Sequence, residues 1–369
     1  MVRRLFLHNY RGFVNFDLRF QSIAFLFGGN GTGKSSLLDA LHGLIMVVDS
    51  GDIEAHFSAD SRFRFASYPE QKFELEVLAQ ERMYLYRLEL QFAGPAERPV
   101  VLNESLDCDG KPLYAFRDGG IQVFDKQGAQ TGAISYDLHK GGLAVVESPD
   151  EDDRIAAFKD WAEQFCLLRL RPYDVVSEAR KPALSLQVDG SNFAAWYETV
   201  ANANTQVWFE YLQAMREVVP GLKAINLKPL HRAGKLLEVD FDGDSRNAQS
   251  FGLDELSEGQ IGLLVYYAIL YFCVKRGETV ALDEPDNYVA LAELEPLISA
   301  LETAAEENHA QVFLISHHPE FYNRLADDSG RCIHFSRDKD GRFRAGAVDW
   351  KRFPGMTPAE VVARGWQGA

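Results

Sequence analysis

The chain has 369 residues and a mass of 41.5 kDa. At roughly 150 residues per domain, that allows two to three units, or one large α/β domain with an insertion. Apolar residues make up 46% and charged residues 25%, which excludes general disorder, and no run approaches the roughly 18–20 consecutive apolar residues of a membrane span. Lys and Arg total 38 against 54 Asp and Glu, a net charge of −16 that excludes DNA binding by bulk electrostatics and leaves nucleic-acid contact local or formed in a complex.

The start, MVRRLFLHNYRGF, carries two arginines but no long apolar segment with a small-residue cleavage site, so no secretory signal is expected and the chain is placed in the cytoplasm. Residues 2–27 read as strands around a turn. Phe6 precedes the turn at Asn9–Gly12, and Val14, Phe16, Leu18 and Phe20 then alternate at period two. The apolar run from Ile23 to Phe27 predicts a buried strand. It enters GGNGTGKSS and then Leu37, Leu38, Ala40, Leu41 and Leu44 at helical spacing, giving strand, glycine loop and helix.

From about residue 70 to 147 the pattern is a β meander. Phe73, Leu75 and Val77 alternate, as do Tyr84, Tyr86, Leu88 and Leu90, and turns are marked at Asp109-Gly110, Asp118-Gly119-Gly120 and Gln127-Gly128. An acidic loop at Ser148–Asp153 ends it. Helices are predicted at about 154–168 and 191–218, the second stopped by Pro220-Gly221. A β stretch with Leu236, Leu237, Val239 and Phe241 follows, then an apolar helix at about 258–275. Beyond it come a strand at Thr279–Leu282, a helix near 291–306 and a strand at Val312–Ile315. Cys108, Cys166, Cys273 and Cys332 lie far apart without a CxxC pair, so reduced, buried thiols are expected rather than a zinc site or a disulfide scaffold.

Gly28 to Ser35 fits GxxxxGK[ST]. Its glycines, with Asn30 between them, let successive backbone N–H groups close around phosphate oxygens, and the following helix presents its positive end to the same phosphates. Lys34 is expected to reach the β/γ-phosphates and Ser35 to bind Mg²⁺. A second cluster is Asp283-Glu284-Pro285, two acids ending an apolar strand, where ligands of parallel sheets bind. Asp283 can hold Mg²⁺ through water and Glu284 can orient or deprotonate an attacking water; in isolation the pair would read as a surface turn. Leu256-Ser257-Glu258-Gly259-Gln260 starts a helix with Ser257 as N-cap, either a plain cap or an anion site. His317 follows the strand Val312–Ile315 and could reach a γ-phosphate, with His318 as the competing candidate.

These motifs in this order resemble ABC-type P-loop ATPases of the SMC/RecF branch, and within it the compact RecF-like AAA family ATPases. The likeness rests on LHNYRGF at the start, GGNGTGKSS, LSEGQ (similar to LSGGQ), LDEPDN (similar to LDEPxN), SHHPEF (similar to THSPEF) and SLQVDGSNFAAWYETV, and it covers nearly the whole chain. The resemblance implies an α/β fold: an ABC-type ATPase head with a β-meander lobe and a helical signature subdomain. It also implies one head over residues 1–369, with an N-terminal lobe at 1–150, a helical and β insert at 151–250, and a C-terminal lobe at 251–369.

For individual residues, the resemblance implies that Gly28, Asn30, Gly31, Gly33, Lys34, Ser35 and Ser36 hold ATP, with Ser35 and Asp283 on Mg²⁺ and Glu284 as catalytic glutamate. Ser257, Gly259 and Gln260 belong to the signature, Ser257 and Gly259 contacting the γ-phosphate of the ATP held by the other subunit. Asp286 and Asn287 form the D-loop across the dimer, His317 is the switch histidine, and Arg11 lies near the nucleotide. Family members work as head-to-tail dimers clamping two ATPs; higher oligomers stay open.

The sequence departs from the family pattern at Glu258, where many members have Gly or Asp, and a Q-loop glutamine is undefined between Gln71 and Gln91. About 220 residues separate the phosphate loop from the signature and carry no heptads, so no long coiled-coil arm is expected. Only about 50 residues follow His317, too few for a Toprim nuclease domain, so any cleavage falls to another chain. The reading that results is a slow, regulatory ATPase whose ATP-driven closure regulates or scaffolds a separately encoded effector, such as a nuclease or toxin, in antiphage defence. The alternative is a DNA-end or gap-binding repair ATPase resembling RecF. It draws on two basic clusters, Arg169, Arg171, Arg180 and Lys181, and the stretch from Arg331 to Arg352, either of which also reads as a solvated face. A transporter's nucleotide-binding subunit is disfavoured by the meander, and no membrane partner is expected.

Overall fold

Period-two alternation builds the first sheet. Val2–His8 (β1) and Phe16–Arg19 (β2) pair antiparallel around the predicted turn, with Leu5 opposite Leu18. Ile23–Gly28 (β3) is buried at every position and runs through the glycine loop into Lys34–Ser50 (α1), whose Leu37, Leu38, Ala40, Leu41 and Leu44 face the core. The structure is a computed structural model that describes residues 1–65, 68–92, 98–125, 128–147, 154–230, 233–242, 249–325 and 330–366. The acidic loop at Ser148–Asp153 and Gln127 of one turn signal lie outside the described residues.

The meander follows as Glu70–Ala79 (β4), Arg82–Gln91 (β5), Val100–Cys108 (β6), Lys111–Arg117 (β7), Gly120–Phe124 (β8) and Gln130–Ser135 (β9). With β1 and β2 these strands form one eight-stranded antiparallel sheet in the order β2-β1-β4-β5-β6-β7-β8-β9. Arg154–Glu163 (α2) covers one face, its Phe158 ring tilted against Tyr84 and Tyr86.

Inside the meander lies a carboxylate the sequence reading did not single out. Glu104 is fully buried and accepts hydrogen bonds from the Tyr86 and Tyr114 hydroxyls, each at 2.8 Å, and from the backbone N–H groups of Gly142 and Leu143. Burial raises its pKa, opposed by these donors. Replacing it with leucine keeps the volume but leaves four buried donors without an acceptor, so Glu104→Leu should cost roughly 3–5 kcal/mol. Urea unfolding measures this; a loss below about 1 kcal/mol would show that the network adds nothing net.

Cys166–Leu168 (β10) corrects the predicted helix over 154–168. The helix stops at Glu163, and the apolar CLL run pairs in parallel with Thr279–Asp283 (β15), Cys166 opposite Val280. After the two-residue strand Glu178–Ala179 (β11), the predicted helix over 191–218 is two helices, Phe193–Ala203 (α3) and Thr205–Val218 (α4). They break at Asn204, whose side chain accepts from the N–H groups of Gln206 and Val207 and caps α4. Leu222–Pro229 (β12), Lys235–Phe241 (β13) and Gln249–Gly252 (β14) form a small antiparallel sheet with β11. The apolar helix Glu258–Phe272 (α5), Leu291–Glu307 (α6) and Gln311–Ile315 (β16) complete the predicted order, with β10, β15 and β16 parallel neighbours.

The end of the chain adds Pro319–Leu325 (α7), Cys332–Arg337 (β17), Phe343–Ala347 (β18) and Pro358–Ala363 (α8), none of which was predicted. Strand β17 pairs in parallel with β3 and antiparallel with β18. The chain divides into two compact units, Met1–Phe165 with Pro319–Ala369, and Cys166–His318. All four cysteines are buried, and none is joined to another in a disulfide among the described residues. Among the described residues no helix is long and apolar enough to cross a membrane.

Candidate functional site

In the first unit the phosphate loop has the backbone its composition anticipates. Gly28, Gly31 and Gly33 take φ of 141°, 71° and 103°. Two of these glycines are also sterically required: a Cβ on Gly28 would stand 2.2 Å from the Phe335 carbonyl oxygen, and one on Gly33 would enter the Phe343 ring. Gly33 caps α1 without a side-chain hydrogen bond. Lys34 is buried, its Nζ donating to the carbonyls of Gly28 at 2.9 Å and Gly29 at 3.0 Å, and Thr32 Oγ1 donates to the Gly29 carbonyl. Burial, then the neighbouring Lys34 charge, pushes the His334 pKa down. The loop is a positively charged cradle shaped before any ligand arrives.

Arg11, in left-handed backbone at φ 49°, donates to Ser36 Oγ at 3.0 Å and pairs with Asp39 at 2.5 Å. It therefore lies against the first turn of α1, on the residue after Ser35. Of the two Q-loop candidates, Gln71 is fully buried on β4, with Nε2 donating to the Asn9 carbonyl and Ser61 Oγ, and its Oε1 finds no hydrogen-bond partner among the described residues. Arg11 N–H also reaches Ser61, at its carbonyl, so Gln71 and Arg11 share this segment, whereas Gln91 is exposed at the end of β5.

In the second unit the parallel pair β15 and β16 ends with Asp283 opposite Ile315. Glu284 N–H extends the ladder onto the Ile315 carbonyl at 2.9 Å, while its own backbone turns to φ 56°, a strained conformation for a non-glycine residue that turns the chain off the sheet. Its Oε2 accepts from Asn287 Nδ2 at 3.0 Å, and its Oε1 lies 3.5 Å from His317 Nε2. The fold thus brings Glu284, Asn287 and His317 together, and all three remain accessible to water. His318 takes a different contact, its N–H donating to Ser316 Oγ.

Ser257 caps α5 in a full capping box, its Oγ accepting from Gln260 N–H and Gln260 Oε1 accepting from Ser257 N–H. The Gln260 side chain therefore serves the cap. Gly259 lies so close to the next segment that a Cβ would stand 3.2 Å from the Tyr288 carbonyl, which sets the start of α5 against the Asp286–Asn287 turn. Glu258, the departure from the signature, accepts a hydrogen bond from the Tyr173 hydroxyl, which, with the Glu258 charge, raises the tyrosine pKa.

Arg169 was read only as part of a basic cluster. It stands one residue past β10, and its guanidinium Nε and Nη2 lie 2.7 and 2.6 Å from Asp283 Oδ2, on a carboxylate only 2% exposed. Four other residues of the two basic clusters also find carboxylates: Arg171 with Asp174, Arg180 with Glu178, Arg344 with Asp338 and Arg352 with Asp349.

Among the described residues no group of three or more His, Cys, Asp or Glu is arranged to hold a metal. Mg²⁺ needs no such cage, taking one or two carboxylates and completing its shell with phosphate and water. The buried Asp283 carboxylate, already paired with a cation, and the Ser35 hydroxyl at the start of α1 have the hard-oxygen chemistry this requires.

Residues 23–323 match a family described as "AAA domain, putative AbiEii toxin, Type IV TA system". No curated protein matches the chain. Among solved structures, the fold is similar to an SMC head bound to the C-terminal winged-helix domain of ScpA, at 13% identity and TM-score 0.53, over 96% of this chain and 99% of that one. It is also similar to an SMC head with an extended coiled coil bound to the C-terminal domain of ScpA derived from Pyrococcus furiosus, at 12% identity and TM-score 0.51, over 95% and 97%. At these identities the likeness shows the fold: an α/β, P-loop ATPase head of the SMC type.

Proposed function

The chain belongs to the AbiEii-type AAA domain family, and on that premise we propose that it is an ATP-binding and slowly hydrolysing switch whose closure regulates a separately encoded effector in antiphage defence. Two copies close head to tail on two ATP molecules, each Ser257 and Gly259 facing the γ-phosphate held by the other copy. Lys34 and the loop N–H groups bind phosphate oxygens, and Glu284 takes the proton of an attacking water. Asn287 and His317 hold that carboxylate and reach the same phosphate. Ser35 and Asp283 would hold the Mg²⁺ that accompanies ATP, which would supply positive charge against the phosphate oxygens.

The observation that carries this reading is the placing of Glu284. A carboxylate in strained backbone, hydrogen-bonded by one neighbour and facing a histidine at 3.5 Å, is suited to water activation and is costly to keep for structure alone. A regulatory role is supported by the family's description and by the partners of several cluster arginines, Arg180, Arg344 and Arg352 each meeting a carboxylate of this chain.

The test is what co-purifies with the Glu284→Gln chain from its native host in Mg-ATP, with proteins identified by mass spectrometry and nucleic acid by the absorbance ratio. A stoichiometric protein partner without nucleic acid is expected. Bound DNA without a protein partner would replace this reading with a RecF-like repair ATPase.

A further inference from the structure

In the first unit the C-terminal hairpin stands beside the phosphate loop. Strand β17 runs parallel to β3 with Phe335 opposite Gly28, and it continues for two more residues to Arg337. The turn that follows, Asp338–Arg342, therefore lies past the start of the glycine loop, at the carboxyl edge where ligands of parallel strands bind. Its backbone is fixed. Asp338 N–H donates to the Arg342 carbonyl at 2.9 Å, and the Asp338 carboxylate accepts from the N–H groups of Asp340 and Arg342 at 3.0 and 2.8 Å. Strand β18 then brings Phe343 N–H onto the Gly12 carbonyl at 2.7 Å, and its ring so close that a Cβ on Gly12 or Gly33 would enter it.

The same N-terminal turn holds a second wall. Phe63 N–H donates to Asn9 Oδ1 at 3.1 Å, and Arg11 N–H reaches the Ser61 carbonyl at 2.5 Å. Between the segment Phe63–Phe65 and the hairpin turn lies an open cavity of about 550 Å³, lined among others by Phe63, Phe65, Arg337 and Arg342. That volume falls in the range of roughly 300–1,000 Å³ usual for small-molecule sites. Phe63 is buried, and the Phe65 ring meets it edge to face at 5.5 Å. Phe65 also lies against Gly341, where a Cβ would stand 3.0 Å from its ring. Though braced from two sides, Phe65 is 69% exposed. Arg342 Nε is shut off from water and has no hydrogen-bond partner among the described residues. A buried donor left without an acceptor is costly, so the cavity lacks an aromatic face and an acceptor, both of which a nucleobase carries.

We propose that this cavity receives the base of the nucleotide whose phosphates the glycine loop holds, with Phe65 as its stacking platform and Arg342 Nε as a donor to the base edge. Stacking uses the π-face that every base presents, so the platform separates nucleotides from bare polyphosphate more than one base from another. The inference rests on the phosphate-loop reading, and the experiment separates the two.

The probes are ATP and inorganic tripolyphosphate, each titrated calorimetrically into the full chain in Mg²⁺. Phe65→Ala should weaken ATP by about tenfold, the loss of one stacked base, and leave tripolyphosphate within about twofold of the wild type. Phe65→Tyr should restore ATP affinity. In Phe65→Trp, ATP should quench the added indole emission and tripolyphosphate should not. Wild-type ATP affinity in Phe65→Ala would overturn the platform. An equal loss for tripolyphosphate would also overturn it, making Phe65 a support of the loop rather than a contact of the base. If Lys34→Ala bound both probes as the wild type does, the phosphate-loop reading itself would fall, and the base site with it.

Discussion

Lys34→Ala is expected to lower ATP affinity by about a hundredfold or more, measured by calorimetry in Mg²⁺. The Lys34 ammonium is buried inside the loop and bonded to the carbonyls of Gly28 and Gly29, so its charge is already desolvated and aimed before phosphate arrives. Charge-assisted hydrogen bonds are worth roughly 1.5–3 kcal/mol each, and losing two of them corresponds to about two to four orders of magnitude in affinity. The loop itself should survive the change. Its shape is imposed by the close approach of Gly28 to Phe335 and of Gly33 to Phe343, and by the apolar face of α1, none of which involves the lysine. An affinity within about tenfold of the wild type would contradict the phosphate-loop assignment.

Glu284→Gln is expected to reduce turnover by about three orders of magnitude while leaving ATP affinity within a few fold. Glutamine fills the same volume, its amide oxygen can still accept from Asn287, and the left-handed backbone at residue 284 treats the two side chains alike. What is lost is only the capacity to take a proton. ATP should then persist, and the closed dimer should accumulate in light scattering with Mg-ATP. Turnover within threefold of the wild type would remove Glu284 from the reaction.

The local elements were legible wherever a few consecutive residues carry the physics. Alternation at Phe73–Val77 and Tyr84–Leu90 can bury one face only as strands, and that gave the meander. An apolar run ending in GGNGTGKSS can hardly be anything but strand, loop and helix, because the glycine backbone and the burial of Leu37, Leu41 and Leu44 both demand it. Where the chain's own pattern was ambiguous, the reading slipped. Phe165 and Leu168 continue the helical spacing of Ile155, Phe158 and Trp161, and nothing nearby says that Cys166–Leu168 will leave the helix to pair with a strand more than 100 residues away. Asn204 carried a legible cap signal inside an apolar pattern long enough to mask it.

The same division runs through the candidate site. By itself the sequence determined which chemical groups are present and the backbone each local motif adopts: the glycine cradle, the cap at Ser257 and the two acids ending a strand. These follow from φ preferences, capping and burial within a dozen residues. Only the tertiary structure decided which groups meet. It set His317 against Glu284, buried Gln71 while leaving Gln91 exposed, and joined Arg169 to Asp283 across 114 positions of sequence. Those contacts depend on strand register, and register is fixed by partners that sequence spacing does not identify.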